Sequence, residues 1–138
     1  MYPTEIVAPM KAEVTDRGFK ELLTSQDVDD ALSKEGTALL FINSVCGCSA
    51  GTARPGVVMA VQNSDKQPDQ LLTSFAGYDS EAVAKARETY LMPYPPSSPC
   101  IALLKNGEVV HMIERHMIEG RPAQMIAANL IDAFNTYC

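Results

Sequence analysis

The size and composition of the chain favour a single folded domain. Its 138 residues are 46% hydrophobic and 20% charged, which suffices for one core and is too little for two ordinary domains. The net charge is -6, from 11 Lys and Arg against 17 Asp and Glu, so no basic surface is available for nucleic acid or for an anionic membrane. The longest apolar runs have five residues, far fewer than the roughly 20 that span a bilayer. We therefore expect one domain over residues 1–138, with no nucleic acid and no membrane as partner.

The first part of the chain predicts two helices and then a buried strand. A first helix ends at Gly18, and a second begins at Thr24 or Ser25 and stops at Gly36, because Ser and Thr cap helix starts and Gly favours helix ends. Thr37–Asn43 is an unbroken apolar run of the kind found in central strands. This strand leads directly into the segment that carries the first cysteines.

The middle of the chain predicts a helix, a strand, a second helix and a stiff loop. Ala50–Val61 has apolar residues at helical spacing and contains Pro55, which predicts a kink. Leu71–Ala76 is strand-like, and Asp79–Tyr90 is helix-like. Four of the seven residues in Pro93–Pro99 are proline, so this segment is predicted to be a loop.

The last part predicts a hairpin and a closing helix. Cys100–Lys105 and Glu108–Ile113 flank Asn106-Gly107, the dipeptide best suited to a type I′ turn. The stretch from Ala123 to Phe134 has the clearest amphipathic spacing in the chain. The whole order predicts an α/β fold: a central mixed β-sheet flanked by helices on both faces, with an N-terminal helical extension. The thioredoxin-like fold has this order of elements.

The chemistry of the chain is expected at Cys46-Gly47-Cys48. Cys46 ends a predicted strand and starts a predicted helix, where unpaired N–H groups and the helix dipole stabilise a thiolate. We therefore predict that Cys46 is the attacking thiol and that Cys48 resolves the mixed disulfide it forms. Arg54 is the one positive charge near the pair in sequence, so the helix start is expected to provide most of the stabilisation.

The one-residue spacer predicts a strained disulfide between Cys46 and Cys48. Residues i and i+2 of an ideal helix point about 200° apart, so the two sulfurs should not meet without distorting the first turn. Strain raises the reduction potential, which suits isomerising disulfides or removing a small thiol from a protein.

Two further cysteines and one proline complete the candidate site. Cys100 is expected to be a core residue more than a resolving thiol, whereas Cys138 is either a frayed tail thiol or a mobile resolving cysteine. Ser98 and Pro99 precede a strand, where a cis peptide could place substrate-binding groups beside the cysteines. The alternative is that Pro99 only ends the loop.

Other functions remain open at this point. Cys46 and Cys48 could be ordinary buried residues. They could also bind a metal with Cys100 and either His116 or Cys138, although the paired C-x2-C spacing of a zinc site is absent. Pro3, Glu5, Lys11, Glu13 and Asp16 interrupt any signal-peptide core. We therefore expect the protein to be located in the cytoplasm. In this reducing compartment, four widely spaced cysteines do not indicate a disulfide framework.

The motifs together resemble the bacilliredoxin family over nearly the whole chain. They are Asn43-Ser44-Val45-Cys46-Gly47-Cys48-Ser49-Ala50-Gly51, Ala53-Arg54-Pro55, Pro96-Ser97-Ser98-Pro99, Ile113-Glu114-Arg115-His116 with Ile118-Glu119-Gly120, and the tail from Asn129 to Cys138. The family often has serine where this chain has Cys100. The motifs Arg54-Pro55 and Glu114-Arg115-His116 recur in the family, but no chemical role follows for them from the residues themselves.

The resemblance implies a thioredoxin-like, cytosolic thiol–disulfide oxidoreductase without a bound cofactor or metal. Its substrates would be S-thiolated proteins, in which a cysteine carries a low-molecular-weight thiol such as bacillithiol, and a reductase would supply the electrons. Cys46 would attack and Cys48 would resolve, while Cys138 would be the terminal cysteine of the family. Some members resemble weak disulfide isomerases, which is the alternative activity.

Overall fold

The computed structural model describes all residues from Met1 to Cys138. The helices are α1 (Thr4–Thr15), α2 (Ser25–Leu32), α3 (Arg54–Asn63), α4 (Ser80–Thr89), α5 (Arg115–Ile118) and α6 (Ala123–Tyr137). The strands are β1 (Lys20–Glu21), β2 (Thr37–Asn43), β3 (Gln70–Phe75), β4 (Cys100–Lys105) and β5 (Glu108–Ile113). A π-helical segment, Ser49–Ala53, immediately precedes α3.

The strands form one five-stranded mixed sheet in the order β1-β3-β2-β4-β5. Strand β3 runs parallel to both β1 and β2, whereas β4 is antiparallel to β2 and β5. Asn106 and Gly107 have φ values of 53° and 81° in the turn between β4 and β5, as a type I′ turn requires. The predicted mixed sheet and hairpin are therefore confirmed.

Two hydrophobic clusters cover the two faces of the sheet, and β2 contributes to both. Leu39 and Phe41 belong to a cluster of 16 buried residues that includes α3 and α6. Leu40 and Ile42 belong to a cluster of 15 that includes α2 and α4. Because successive side chains of a strand point to opposite faces, every residue of β2 is buried. Helices on both faces are confirmed.

Three features of the fold differ from the expected elements. The first helix contains Pro9 and ends at Thr15, before the predicted end at Gly18. Strand β1 is only two residues long, and α5 is a single turn in a stretch expected to be a loop. Strand β1 and helix α5 are too short to contain a repeat of the hydrophobic pattern, so the sequence does not indicate them.

The expected kink at Pro55 is replaced by another irregularity. The π-helical segment ends just before Pro55, which occupies the first turn of α3, where the missing proline N–H costs little.

No helix of the structure has the length and hydropathy needed to traverse a lipid bilayer.

Candidate active site

The loop that carries the two cysteines is held by one buried side chain, Asn43. This last residue of β2 is 1% exposed. Its Oδ1 accepts hydrogen bonds from the N–H of Ser44 at 2.8 Å and from the hydroxyl of Ser49 at 2.9 Å, and its Nδ2 donates to the carbonyl of Met10 at 3.2 Å. The N–H of Cys46 donates to the Ser44 hydroxyl oxygen at 3.1 Å. Hydrogen bonds therefore fix the chain on both sides of the thiols.

Cys46 and Cys48 lie where the loop becomes helical. The carbonyl of Cys46 accepts hydrogen bonds from the N–H groups of Ser49 and Ala50, at 2.9 and 3.2 Å. Both thiols are free and half-buried, and their Sγ atoms lie 2.6 Å apart. The two sulfurs meet because Cys46 precedes the helical residues and an irregular, π-helical segment follows directly, so the ideal-helix geometry does not apply to the pair.

The surroundings of the two thiols shift their pKa values in opposite directions. The pKa of Cys46 is lowered, chiefly by a hydrogen bond from the thiol of Cys48; burial opposes this, and the N–H of Cys48, the charge of Arg115 and the N–H of Ser49 add to it. The pKa of Cys48 is raised by burial first and then by its interactions with Cys46. Cys46 is therefore the more acidic of the two thiols, the property that a thiol at a helix start was predicted to have.

The positive charge near the thiols comes from Arg115 and not from Arg54. Arg115 lies on α5 and lowers the pKa of both thiols electrostatically, while its own pKa is raised first by Glu119 and then by the thiols. Arg54 is 1% exposed and pairs with Glu13. The N–H groups of Cys48 and Ser49 at the helix start also favour the Cys46 thiolate, together with the Cys48 thiol and the charge of Arg115, so the helix start contributes but does not act alone.

The loop before β4 is anchored by two arginines. Arg87 donates to the carbonyl of Ser97 at 3.0 Å, and Nη1 of Arg115 donates to the carbonyl of Ser98 at 3.3 Å. The Ser98-Pro99 peptide bond is cis, and Pro99 is buried. Arg115 thereby connects the loop to the side of the molecule that carries the thiols.

Cys100 is close to this end of the sheet but is not a free thiol at the surface. It pairs in register with Ile42 of β2 and is 3% exposed. Its side chain belongs to the cluster on the α2 and α4 face, whereas Cys48 packs against the opposite cluster. Burial raises the pKa of Cys100 to about 11. These surroundings are those of a core residue.

Cys138 lies at the other end of the sheet. Its thiol interacts with Thr37, the first residue of β2, and with Asp69, Lys105 and Lys66, whereas Cys46 follows the last residue of β2. Six residue steps of about 3.3 Å separate the two ends of this strand, or roughly 20 Å. The structure therefore does not bring Cys138 within reach of Cys46.

The metal-site alternative fails for the same reason. The four cysteines occupy three separate places, and no group of three or more His, Cys, Asp or Glu side chains, with His116 or without it, is arranged to hold a metal ion. The ligand set considered from the sequence is thus not assembled.

Two residues of the site were not identified from the sequence, Asn43 and Arg115. Asn43 ends an apolar strand immediately before the cysteine loop. A polar residue at that point indicates that its side chain bonds to the backbone of the adjacent loop. Arg115 lies far along the chain, and the motif Glu114-Arg115-His116 does not by itself indicate a chemical role. Its proximity to the thiols depends on the packing of α5.

Comparison with known proteins gives the same assignment for fold and family. A family model described as disulphide isomerase matches residues 2–138. A protein of Cytophaga hutchinsonii named bacilliredoxin is 58% identical over 130 residues, covering 94% of this chain and 95% of the relative. A bacilliredoxin of Geobacillus kaustophilus is 50% identical over 138 residues, covering 99% and 94%.

Solved thioredoxins share the fold at low sequence identity. A mutant thioredoxin of Halobacterium salinarum superposes with a TM-score of 0.59 at 16% identity, covering 88% of this chain and 91% of that one. Mitochondrial thioredoxin 3 of Saccharomyces cerevisiae gives a TM-score of 0.57 at 14% identity, covering 90% and 98%. The predicted thioredoxin-like fold is thereby confirmed.

Proposed function

Since the chain belongs to the bacilliredoxin family and is a thiol–disulfide oxidoreductase, we propose that it removes a low-molecular-weight thiol, such as bacillithiol, from protein cysteines. The observation that carries this proposal is the pair Cys46 and Cys48, whose sulfurs lie 2.6 Å apart with opposite shifts in pKa. One thiol is thus ready to attack while its neighbour holds its proton.

The first step is attack by the Cys46 thiolate on the small-thiol sulfur of a mixed disulfide. A new disulfide forms between Cys46 and the small thiol, the original disulfide breaks, and the protein cysteine leaves as a thiolate. The hydrogen bond from Cys48 and the charge of Arg115 favour the thiolate form of Cys46. Ser98 and Pro99 lie in the adjacent anchored loop, where we propose that they contact the substrate.

The second step is release of the small thiol. Cys48 loses its proton and attacks the sulfur of Cys46, so that the small thiol leaves and a disulfide joins Cys46 to Cys48. Two electrons from a separate reductase then restore both thiols. We propose that this cycle takes place in the cytoplasm, where such reductants are available.

The two cysteine variants test this order of steps. S-thiolated substrate protein is incubated with reduced enzyme, and release of the small thiol is followed by intact mass. Cys46→Ser is expected to be inert, whereas Cys48→Ser accepts the small thiol and remains trapped as a mixed disulfide. Full activity of Cys46→Ser would overturn the assignment of the attacking thiol.

A second candidate, protein disulfide isomerase, is supported by the description of the matching family model. Isomerisation requires only the first attack and a later return of the same electrons, so Cys48 is dispensable for it. Reactivation of a scrambled disulfide-bonded protein separates the two activities. Cys48→Ser is expected to retain reactivation if the protein is an isomerase, whereas neither Cys48→Ser nor the native chain reactivates the scrambled protein if it is not.

A further inference from the structure

A cleft between α1 and α3 contains a buried arginine that the reaction described above does not use. The cleft has a volume of about 650 Å³, and its walls include Glu13, Asp16, Arg17, Ala50 and Arg54. We refer to it as the α1–α3 cleft. Its walls carry two acidic and two basic side chains, so it is polar.

Arg54 has fewer partners than a buried guanidinium requires. Its side chain is 1% exposed, and Nη1 donates to Glu13 at 2.8 Å, but Nε has no hydrogen-bond partner. A guanidinium carries five N–H donors, and an unsatisfied buried donor is costly. Burial also lowers the pKa of Arg54, only partly opposed by Glu13. An anion that enters the cleft and displaces the side chains covering Arg54 would relieve this deficit.

The cleft begins one helical turn from Cys46, the residue that carries the attacking thiol. The N–H of Ala50, which lines the cleft, donates to the carbonyl of Cys46 at 3.2 Å. One turn of helix is about 5 Å long, whereas a thiol of tripeptide size extends over roughly 10 Å. A small thiol attached to Cys46 is therefore long enough to place its far end in the cleft.

We propose that the α1–α3 cleft binds a carboxylate of the small thiol that Cys46 takes up, with Arg54 and Arg17 as the receiving residues. Arg54 is already fixed by Glu13, so its planar donor edge needs little ordering to receive a carboxylate. Asp16 and Glu13 on the same walls disfavour a second negative group and suit a thiol that also carries an amine. This inference rests on the proposed function, since it supplies the selectivity of the same site.

Disulfide exchange with matched probes tests the proposal on the Cys48→Ser chain, which retains the mixed disulfide. The probes are oxidised glutathione, its tetraethyl ester and 2-hydroxyethyl disulfide. In each case the Cys46 thiolate breaks the probe disulfide, keeps one half and releases the other as a thiolate. Intact mass gives the rate and the extent of labelling. Glutathione is expected to exceed its ester about tenfold, the size of one charge-assisted hydrogen bond.

The variants identify the residue responsible. Arg54→Met, made in the same Cys48→Ser chain, is expected to remove the advantage of glutathione over its ester and leave labelling by 2-hydroxyethyl disulfide unchanged. Folding should survive this change because Glu13, the partner left behind, is half-exposed. Arg17→Gln lies on an exposed residue and reduces the advantage without risk to the core. Arg121→Gln removes the same charge outside the cleft and serves as the control.

The outcomes separate this inference from the proposed function. If no probe labels Cys46, the attacking thiol has been misassigned. If 2-hydroxyethyl disulfide labels Cys46 but glutathione has no advantage over its ester, or keeps that advantage in both Arg54→Met and Arg17→Gln, the cleft is not a carboxylate site. A loss of the advantage in Arg121→Gln equal to that in Arg17→Gln would also overturn the proposal.

Discussion

At the scale of single residues, the two thiols differ because their neighbours differ. Cys46 accepts hydrogen bonds from the thiol and from the N–H of Cys48, which lower its pKa. Burial is the first cause of the raised pKa of Cys48. Sequence position predicted that Cys46 would be the more acidic thiol, because it precedes a helix. Of the groups responsible, the thiol and N–H of Cys48 are local in sequence, whereas the charge of Arg115 is brought to Cys46 by tertiary packing and could not be predicted.

Replacing Arg115 by Gln is predicted to raise the pKa of Cys46, because a positive charge that favours the thiolate is lost. The fraction of thiolate below that pKa falls, so alkylation of Cys46 near neutral pH should slow by roughly two- to fivefold, the size typical of one exposed charge. The pH profile of iodoacetamide labelling, followed by mass, measures the shift. The difference from the native protein should shrink at high salt.

Two variants control this measurement. Arg115→Lys keeps the charge and should retain most of the reactivity, whereas Arg121→Gln removes a charge elsewhere and should behave as the native chain. An Arg115→Gln profile identical to that of the native chain would show that the charge does not act on Cys46.

At the scale of elements, the long periodic segments were predictable and the short irregular ones were not. The Asn106-Gly107 turn and the buried strand Thr37–Asn43 follow from local sequence, and their bounds agree with the structure. Strand β1 forms because its two residues pair with β3. No local sequence pattern indicates this pairing. The π-helical segment likewise replaces the simple kink expected at Pro55.

The packing of α3 against α6 depends on one glycine. A Cβ at Gly56 would lie 2.9 Å from Cβ and Cγ2 of Ile126 and 3.3 Å from the carbonyl of Ala123. Gly56→Ala is therefore predicted to lower the free energy of unfolding by about 1–3 kcal/mol, as overpacking does. Urea denaturation measures the loss.

Gly51 provides the matched control for this prediction. It lies in the adjacent π-helical segment, and nothing is within 4 Å of a Cβ added there. Gly51→Ala should leave the free energy of unfolding unchanged or raise it by up to about 1 kcal/mol, since the unfolded chain loses freedom. Equal losses for Gly51→Ala and Gly56→Ala would contradict the role assigned to the contact with α6.

At the scale of the whole molecule, the sheet separates the four cysteines. Cys46 and Cys48 lie beyond one end of β2, and Cys138 lies at the other end. Cys100 is buried on the face of the sheet that α2 and α4 cover. The sequence indicated only that Cys138 is the last residue. Its distance from the thiol pair follows from the path of α6 along the sheet. That residues 1–138 form one domain stays a prediction.

Cys138 is predicted not to resolve a mixed disulfide on Cys46 within the same molecule, because roughly 20 Å of strand lies between them. In the Cys48→Ser chain, the trapped mixed disulfide should persist equally long with and without the further change Cys138→Ser. Intact mass over time measures its lifetime. Recovery of a peptide containing a disulfide between Cys46 and Cys138 from the monomer would contradict this expectation.

The position of β2 has a consequence for how the molecule opens. Both neighbouring strands and both hydrophobic clusters protect its amides, so β2 belongs to the region whose hydrogen exchange requires the most extensive unfolding. Asn43 ends that strand and begins the hydrogen-bond network of the cysteine loop. We therefore expect the cysteine loop to be attached to the part of the protein that opens last, so that its anchor at Asn43 persists while other segments fluctuate.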